Sequence, residues 1–295
     1  MLACPRCGAD LPFTPGVPVE DDDGGVAELT CEEGCVYPVL GGVPLLLVDA
    51  EGYIGRHRES LVTTLAEQDR LSRGTLATVR AFAADEDLVP LADDWTAAEA
   101  DGEGLPRRGT TANPLEAIYA PLRGPQGATV AQAIKRRIPK KINGDVCIVG
   151  AGAGLGASRW LPRNVKPWIV DLSLRGALLA TKTLGRGTPV VADVEDLPFL
   201  EDSLDLVVAE NVLDLVGDPA RACAAIARSL RSGGTAIVSS PDPALGGDDE
   251  TTLAQLLGEA GLSVIACDDD LLWPRPHSRR RVELYVVQVL TCRKE

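Results

Sequence analysis

One short apolar run that ends in a dense cluster of glycines constrains this chain more than any other feature. Asp145-Val146-Cys147-Ile148-Val149 leads directly into Gly150-Ala151-Gly152-Ala153-Gly154-Leu155-Gly156. A strand, a glycine turn and a helix starting near Ala157 let backbone amides approach a ligand with no Cβ in the way. The turn alone leaves the ligand open. Read from Gly150, the dinucleotide fingerprint G-x-G-x-x-G fails at Leu155, yet read from Gly152 it fits the relaxed form ending at Ala157. A nicotinamide or flavin enzyme is therefore compatible with the turn itself.

Downstream segments at regular intervals narrow the choice. Trp168-Ile169-Val170-Asp171 is a second apolar strand closing on an acid about twenty residues after the turn, placed to accept hydrogen bonds from ribose hydroxyls in either cofactor class. Val190-Val191-Ala192-Asp193-Val194 is a third strand with an acid at its end. Next come Asp196-Leu197-Pro198-Phe199, the run Ser203 to Leu213, and Leu230-Arg231-Ser232-Gly233-Gly234-Thr235. Either acid alone could be a solvated strand end. Together they point to a ligand crevice, because all such ends of a parallel α/β sheet lie on one edge.

As an ordered set, from Val146 to about Asp242, these segments resemble the class I S-adenosylmethionine-dependent methyltransferase family. The resemblance implies an α/β fold: a Rossmann-like seven-stranded sheet of order 3-2-1-4-5-7-6 with strand 7 antiparallel, spanning residues 141–295. It also implies site residues. Gly150, Gly152 and Gly154 pass the methionine part of the cofactor, Asp171 binds the ribose hydroxyls, and Leu172 lies beside the adenine. Asp193 accepts from the adenine amino group, the backbone of Val194 contacts the ring, and Glu210 sits at the mouth of the cofactor pocket. Two positions depart from the family pattern: Ile148 stands where an acid usually orients the methionyl ammonium, and Leu204 replaces a phenylalanine.

Beyond the fifth strand, Ala236 to Ser239, the sequence predicts a helix near Thr251 to Ala260 and a strand from Leu262 to Cys267. A final alternating strand covers Val282 to Cys292. The connection Leu271 to Arg281 is expected to leave the sheet on the cofactor side, which makes Trp273 and Arg275 candidates for substrate contact. A sulfonium already renders its methyl group electrophilic, so the protein mainly aligns a nucleophile and excludes water. Orientation of that kind supplies on the order of 7 to 11 kcal/mol. A base is needed only for an acceptor protonated at working pH. His277, in the same connection, is the candidate base, and His57 lies far upstream in a polar run.

The N-terminal segment, residues 1–49, has a different character. Cys4-Pro5-Arg6-Cys7-Gly8 is a zinc knuckle, and a second pair occurs at Cys31 and Cys35. Two such pairs can converge on one tetrahedral ion, and a segment of fewer than about fifty residues has too little core to fold well without a staple. Four sulfurs would close the coordination shell, so the expected Zn2+ is structural. With Tyr37-Pro38-Val39 and Gly41-Gly42-Val43-Pro44, the knuckle resembles the zinc-ribbon family of the tRNA and protein methyltransferase activator subunit, here with a C-x3-C second pair. Cys147, Cys223, Cys267 and Cys292 stand singly in apolar stretches, where buried inert thiols are expected.

Residues 50–140 read as a helical linker, and the resemblance to methyltransferases of this class implies that such a segment forms a lid and borders the substrate pocket. Leu61, Leu65, Leu71, Leu76, Val79 and Phe82 recur at helical spacing, Asp93 to Gly109 reads as a loop, and Asn113-Pro114 opens a short helix through Tyr119, a candidate substrate contact. A further helix covers about Thr129 to Arg137.

Composition bears on partners. The formal charge of -14 over 295 residues opposes binding to a long nucleic-acid backbone, which depends on cations displacing phosphate counterions. The start of the chain lacks a basic then apolar export pattern, and the apolar run Val36 to Val48 is broken by Pro38, Gly41, Gly42 and Pro44. A cytoplasmic location and no membrane partner are expected. The leading function is methylation of a small-molecule acceptor, with RNA or protein methylation and a non-catalytic cofactor-binding scaffold as alternatives. A homodimer, or a protein partner at the ribbon, is the expected assembly.

Overall fold

The computed structural model describes residues 1–15, 25–88, 129–142, 144–241, 251–278 and 281–295, the side chains of 274–278 and 281–283 excepted. An antiparallel meander opens the chain: β1 (Glu28–Thr30), β2 (Val36–Leu40) and β3 (Val43–Leu46). Two helices come next, α1 (Ala50–Glu67) and α2 (Arg73–Phe82). The Asp49 carboxylate caps α1 by accepting from the Gly52 amide, and Ser72 caps α2 through Thr75. Helix α3 (Val130–Arg137) begins with a reciprocal capping box between Thr129 and Gln132.

The core then alternates strand and helix: β4 (Val146–Val149), α4 (Leu155–Trp160), β5 (Trp168–Asp171), α5 (Leu174–Leu184) and β6 (Thr188–Ala192). A single 3-10 turn, Val194–Asp196, precedes β7 (Leu204–Glu210), α6 (Pro219–Ser229) and β8 (Leu230–Ser240). The chain ends with α7 (Leu253–Glu259), β9 (Leu262–Ser278) and β10 (Arg281–Lys294). Strands β4 and β7 are almost wholly buried, as parallel strands covered on both faces must be.

Strand order in the sheet is β1-β2-β3-β6-β5-β4-β7-β8-β10-β9. Its last seven members reproduce the expected 3-2-1-4-5-7-6 arrangement, with β10 antiparallel to β8. The strand count is corrected from seven to ten, because β3 pairs in parallel with β6 (Leu45 with Val191, Leu46 with Ala192) and carries the whole meander onto the sheet. The seam is reinforced by an antiparallel bridge between Leu2 and Phe199 and by the Ala3 amide donating to the Pro198 carbonyl at 3.0 Å. Leu2, Leu11, Tyr37 and Val39 share one apolar core with Trp168, Val190, Phe199 and Val207. Phe13 packs on Trp168, which meets Phe199 edge-on at 5.8 Å.

The C-terminal connection leaves the sheet on the expected side: β10 first pairs with β8 at Gln288–Ser240, beside the end of β7, and residues 271–287 run past that edge as a two-stranded hairpin that lengthens β9 and β10, with Tyr285 opposite Trp273 and Val282 opposite Pro276. Prolines that suggest a turn in the sequence are tolerated here because β9 is the edge strand, where a missing N–H breaks no inner ladder. Cys267 is a second correction: it is exposed, whereas Cys147, Cys223 and Cys292 are buried as expected. Among the described residues, no helix is long and apolar enough to cross a membrane.

Candidate functional site

The crevice is built where strands β4 to β7 end. Gly150 leaves β4 with φ +63° and donates its amide to the Val170 carbonyl on β5 at 2.9 Å, which bends the chain sharply over the sheet edge. Gly154 closes the turn at φ +75° and caps α4, with Ala180 so close that an added Cβ would lie 2.8 Å from its Cα. These are positions that only glycine fills without strain. Asp171 accepts from the Gly152 amide at 2.8 Å through one oxygen and from the Ser173 amide at 2.9 Å through the other. The carboxylate is thus bound into the glycine turn and remains half-buried at the edge. Leu172 beside it is 48% exposed.

Asp193 lies just past β6 on the same edge, since Asp171 pairs with Val191 two residues earlier. Its side chain caps the 3-10 turn by accepting from the Glu195 amide at 3.0 Å. Burial pushes the Asp193 carboxyl above its ordinary range, against the pull of that hydrogen bond. Val194 is buried. Glu210 ends β7 next to the glycine turn, because Ala209 pairs with Val149. Its Oε2 accepts from the Trp160 indole N–H at 2.9 Å, and a Cβ on Gly156 would lie 2.5 Å from the same oxygen. Desolvation raises the Glu210 carboxyl, the Trp160 bond and the charge of Arg159 opposing it. The three glycines, Asp171, Leu172, Asp193, Val194 and Glu210 therefore share one rim.

Two further residues, Asn211 and Tyr53, stand at this rim without having been expected as site residues. Asn211 is 3% exposed and holds a left-handed backbone, φ +54°, while its Oδ1 accepts from Ser239 at 2.9 Å. A strained, buried polar residue at a strand end marks functional geometry that no local pattern spells out. Tyr53 on α1 donates its hydroxyl to the Leu172 carbonyl at 2.6 Å, and the His57 ring stands edge-on to Tyr53 at 4.8 Å. Their only sequence signal is the four-residue spacing that sets Tyr53 and His57 on one helical face.

The N-terminal cysteines form a second cluster. The sulfurs of Cys4, Cys7, Cys31 and Cys35 all lie within 4.8 Å of one another. Tetrahedral zinc with bonds of about 2.3 Å needs sulfurs roughly 3.8 Å apart, and the Cys7–Cys31 and Cys7–Cys35 separations are 3.7 and 3.9 Å. The donor set therefore fits the ion, the wider C-x3-C spacing included. Burial disfavours the Cys4 thiolate, but hydrogen bonds from the Tyr37 hydroxyl at 3.0 Å and from Cys7 outweigh it and bring the pKa down to about 6. A cavity of about 280 Å³ between Cys4, Leu197 and Arg228 adjoins the cluster.

The remaining expected site residues belong to the C-terminal hairpin and to the segment before α3. Trp273 packs on Tyr285 at 5.4 Å in the hairpin, against the core that contains Ile134. Tyr119 and the side chains of Arg275 and His277 lie outside the described residues.

Residues 148–238 match the family model described as a methyltransferase domain. An uncharacterized protein of Methanocaldococcus jannaschii is 35% identical over 112 residues, 38% of this chain, and the chain spans about half the length of that relative. Among solved structures, an S-adenosylmethionine-dependent methyltransferase of Thermotoga maritima is 24% identical with TM-score 0.42, covering 56% of this chain and 87% of its own. The N-methyltransferase NodS of Bradyrhizobium japonicum, bound to S-adenosylhomocysteine, is 14% identical with TM-score 0.46, covering 68% and 98%. A chain from a complex of the Haloferax volcanii Trm112 methyltransferase activator is 20% identical with TM-score 0.43, covering 55% and 87%.

Proposed function

From the premise that residues 148–238 belong to the methyltransferase-domain family of the S-adenosylmethionine-dependent class, we propose that this chain transfers a methyl group from that cofactor to a small-molecule acceptor. The observation that carries the reading is the Asp171 carboxylate bound to the Gly152 amide at 2.8 Å, which ties the glycine turn to the ribose-binding acid at one sheet edge. In this reading Gly150, Gly152 and Gly154 face the methionine part and Asp171 accepts from the ribose hydroxyls. Leu172, Asp193 and Val194 frame the adenine. The cofactor supplies an electrophilic methyl group; the chain binds it, orients the acceptor and keeps water out.

The -14 charge favours a small acceptor over RNA. Tyr53, whose hydroxyl bonds the Leu172 carbonyl, and His57 against its ring belong to the helical segment expected to act as a lid. Cys4, Cys7, Cys31 and Cys35 would hold one structural zinc, and the segment that carries them would act as a built-in stabilising module fused to β6. Calorimetry with S-adenosylhomocysteine tests the function. We expect one site of micromolar or better affinity, and the absence of any heat would sink the enzyme reading in favour of a scaffold. Salt-sensitive binding of a labelled RNA at physiological ionic strength would move the acceptor to nucleic acid.

A further inference from the structure

Before Gln288, where β10 takes up its pairing with β8, residues 271–287 of β9 and β10 form a two-stranded arm. Its two faces differ. Leu271 and Val287 are buried in the core that holds Val130 and Ile134 of α3, and Trp273 packs on Tyr285 at 5.4 Å against the same core. Alternation along each strand turns Leu272, Leu284 and Val286 to the opposite face, where Val286 lies across from Leu272. Leu284 is 40% and Val286 56% exposed. Two strands alone bury little surface, so an arm with one bare apolar face gains from being covered.

Charge is segregated along the same arm. Its base carries Asp268, Asp269 and Asp270, of which the last two are exposed. Asp268 is already paired with Arg136 and Arg137. From Leu271 to Val282 the sequence holds four arginines, Arg275, Arg279, Arg280 and Arg281, and no acid, in a chain whose net charge is -14. Glu283, opposite Arg275 in the register, offsets only one of them. Acids at one end, arginines at the other and apolar side chains between them make a surface that complements itself when turned end for end.

We propose that this arm is the contact of a homodimer, in which a second copy of the chain lays its own arm across it in antiparallel sense. Leu284 and Val286 then meet their counterparts, and the arginine-bearing end of each arm faces the Asp269 and Asp270 end of the other. The two-fold axis makes the contact isologous, so each favourable pair occurs twice. A parallel arrangement is excluded, because it sets like charges against each other at both ends.

The test is sedimentation equilibrium of the full chain. We expect the wild-type protein to sediment at twice the mass of one chain at micromolar concentration, and to dissociate more readily in about 0.5 M salt. Arg279→Glu with Arg281→Glu, and separately Asp269→Lys with Asp270→Lys, should each give a folded monomer. Mixing these two variants should restore a dimer containing one of each, since each reversed end then finds its opposite. Val286→Asp should weaken the dimer at least ten-fold, and its exposed position makes it the variant to use if a charge-reversed chain does not fold. A wild-type chain still monomeric at about 100 µM, a Val286→Asp chain that dimerises as the wild type does, or folded charge variants that stay monomeric on mixing would overturn the proposal.

Discussion

Asp171 shows how much a single side chain can be asked to do. Both of its oxygens accept from backbone amides, those of Gly152 and Ser173. An asparagine would offer one acceptor and turn an N–H against the other amide. Asp171→Asn should therefore destabilise the fold by about 1 to 3 kcal/mol, read by chemical denaturation, and should also weaken S-adenosylhomocysteine at least ten-fold. Gly154→Ala forces a Cβ against the Ala180 backbone at φ +75°, so we expect a loss of about 2 to 4 kcal/mol. A stability unchanged by that substitution would show that α4 and α5 can separate freely. Glu210 behaves in the opposite sense. Its folded-state pKa is raised above the unfolded value, so the folded state holds the extra proton and stability falls as pH rises through the raised pKa. At neutral pH, Glu210→Gln should leave the ligand-free protein more thermostable, by about one to three degrees, and the advantage should vanish in acid. The acids are legible as residues because each ends an apolar strand. Asn211 is not, because the partner that holds it, Ser239, is twenty-eight residues away on β8.

Among the elements, α1 changes meaning most between sequence and structure. Its spacing of apolar residues announces a helix and nothing about where that helix lies. In the fold its Tyr53 reaches the Leu172 carbonyl, while Ile54, Leu61 and Leu65 share a core with Leu174 and Leu178 of α5. Tyr53→Phe should cost about 1 kcal/mol and speed amide exchange around Leu172 and Ser173, with the glycine turn unaffected. Exchange unaltered at Leu172 would mean that α1 does not brace the crevice. The C-terminal hairpin shows the reverse lesson. Pro274 and Pro276 look like strand breakers in the sequence, yet their edge position makes them harmless, since β9 needs hydrogen bonds on one side only along that stretch.

At the scale of the molecule, the cysteine cluster and the cofactor crevice stand on one sheet. β3 joins β6 one residue before Asp193, and Leu2 bridges Phe199 just beyond it, so the N-terminal segment clasps the strand end that carries Asp193. We expect elemental analysis to find about one zinc per chain, in line with a four-sulfur site. Chelation should lower the melting temperature of the whole protein in a single transition, on the order of 10 °C for a loss of a few kcal/mol. A main transition that stays in place when the metal leaves would instead make the ribbon an independent attachment. Sequence by itself determined the alternation of strands and helices, the glycine turn, the two strand-end acids and the pairing of four cysteines. Each of these is written in neighbouring residues, where apolar period, missing Cβ atoms and thiol spacing act directly. Only the tertiary structure decided that the ribbon extends the sheet, that Tyr53 meets Leu172 and that Glu210 lies beside Trp160. Those contacts join residues far apart in the chain, and burial of shared apolar surface, which has no local spelling, selects them.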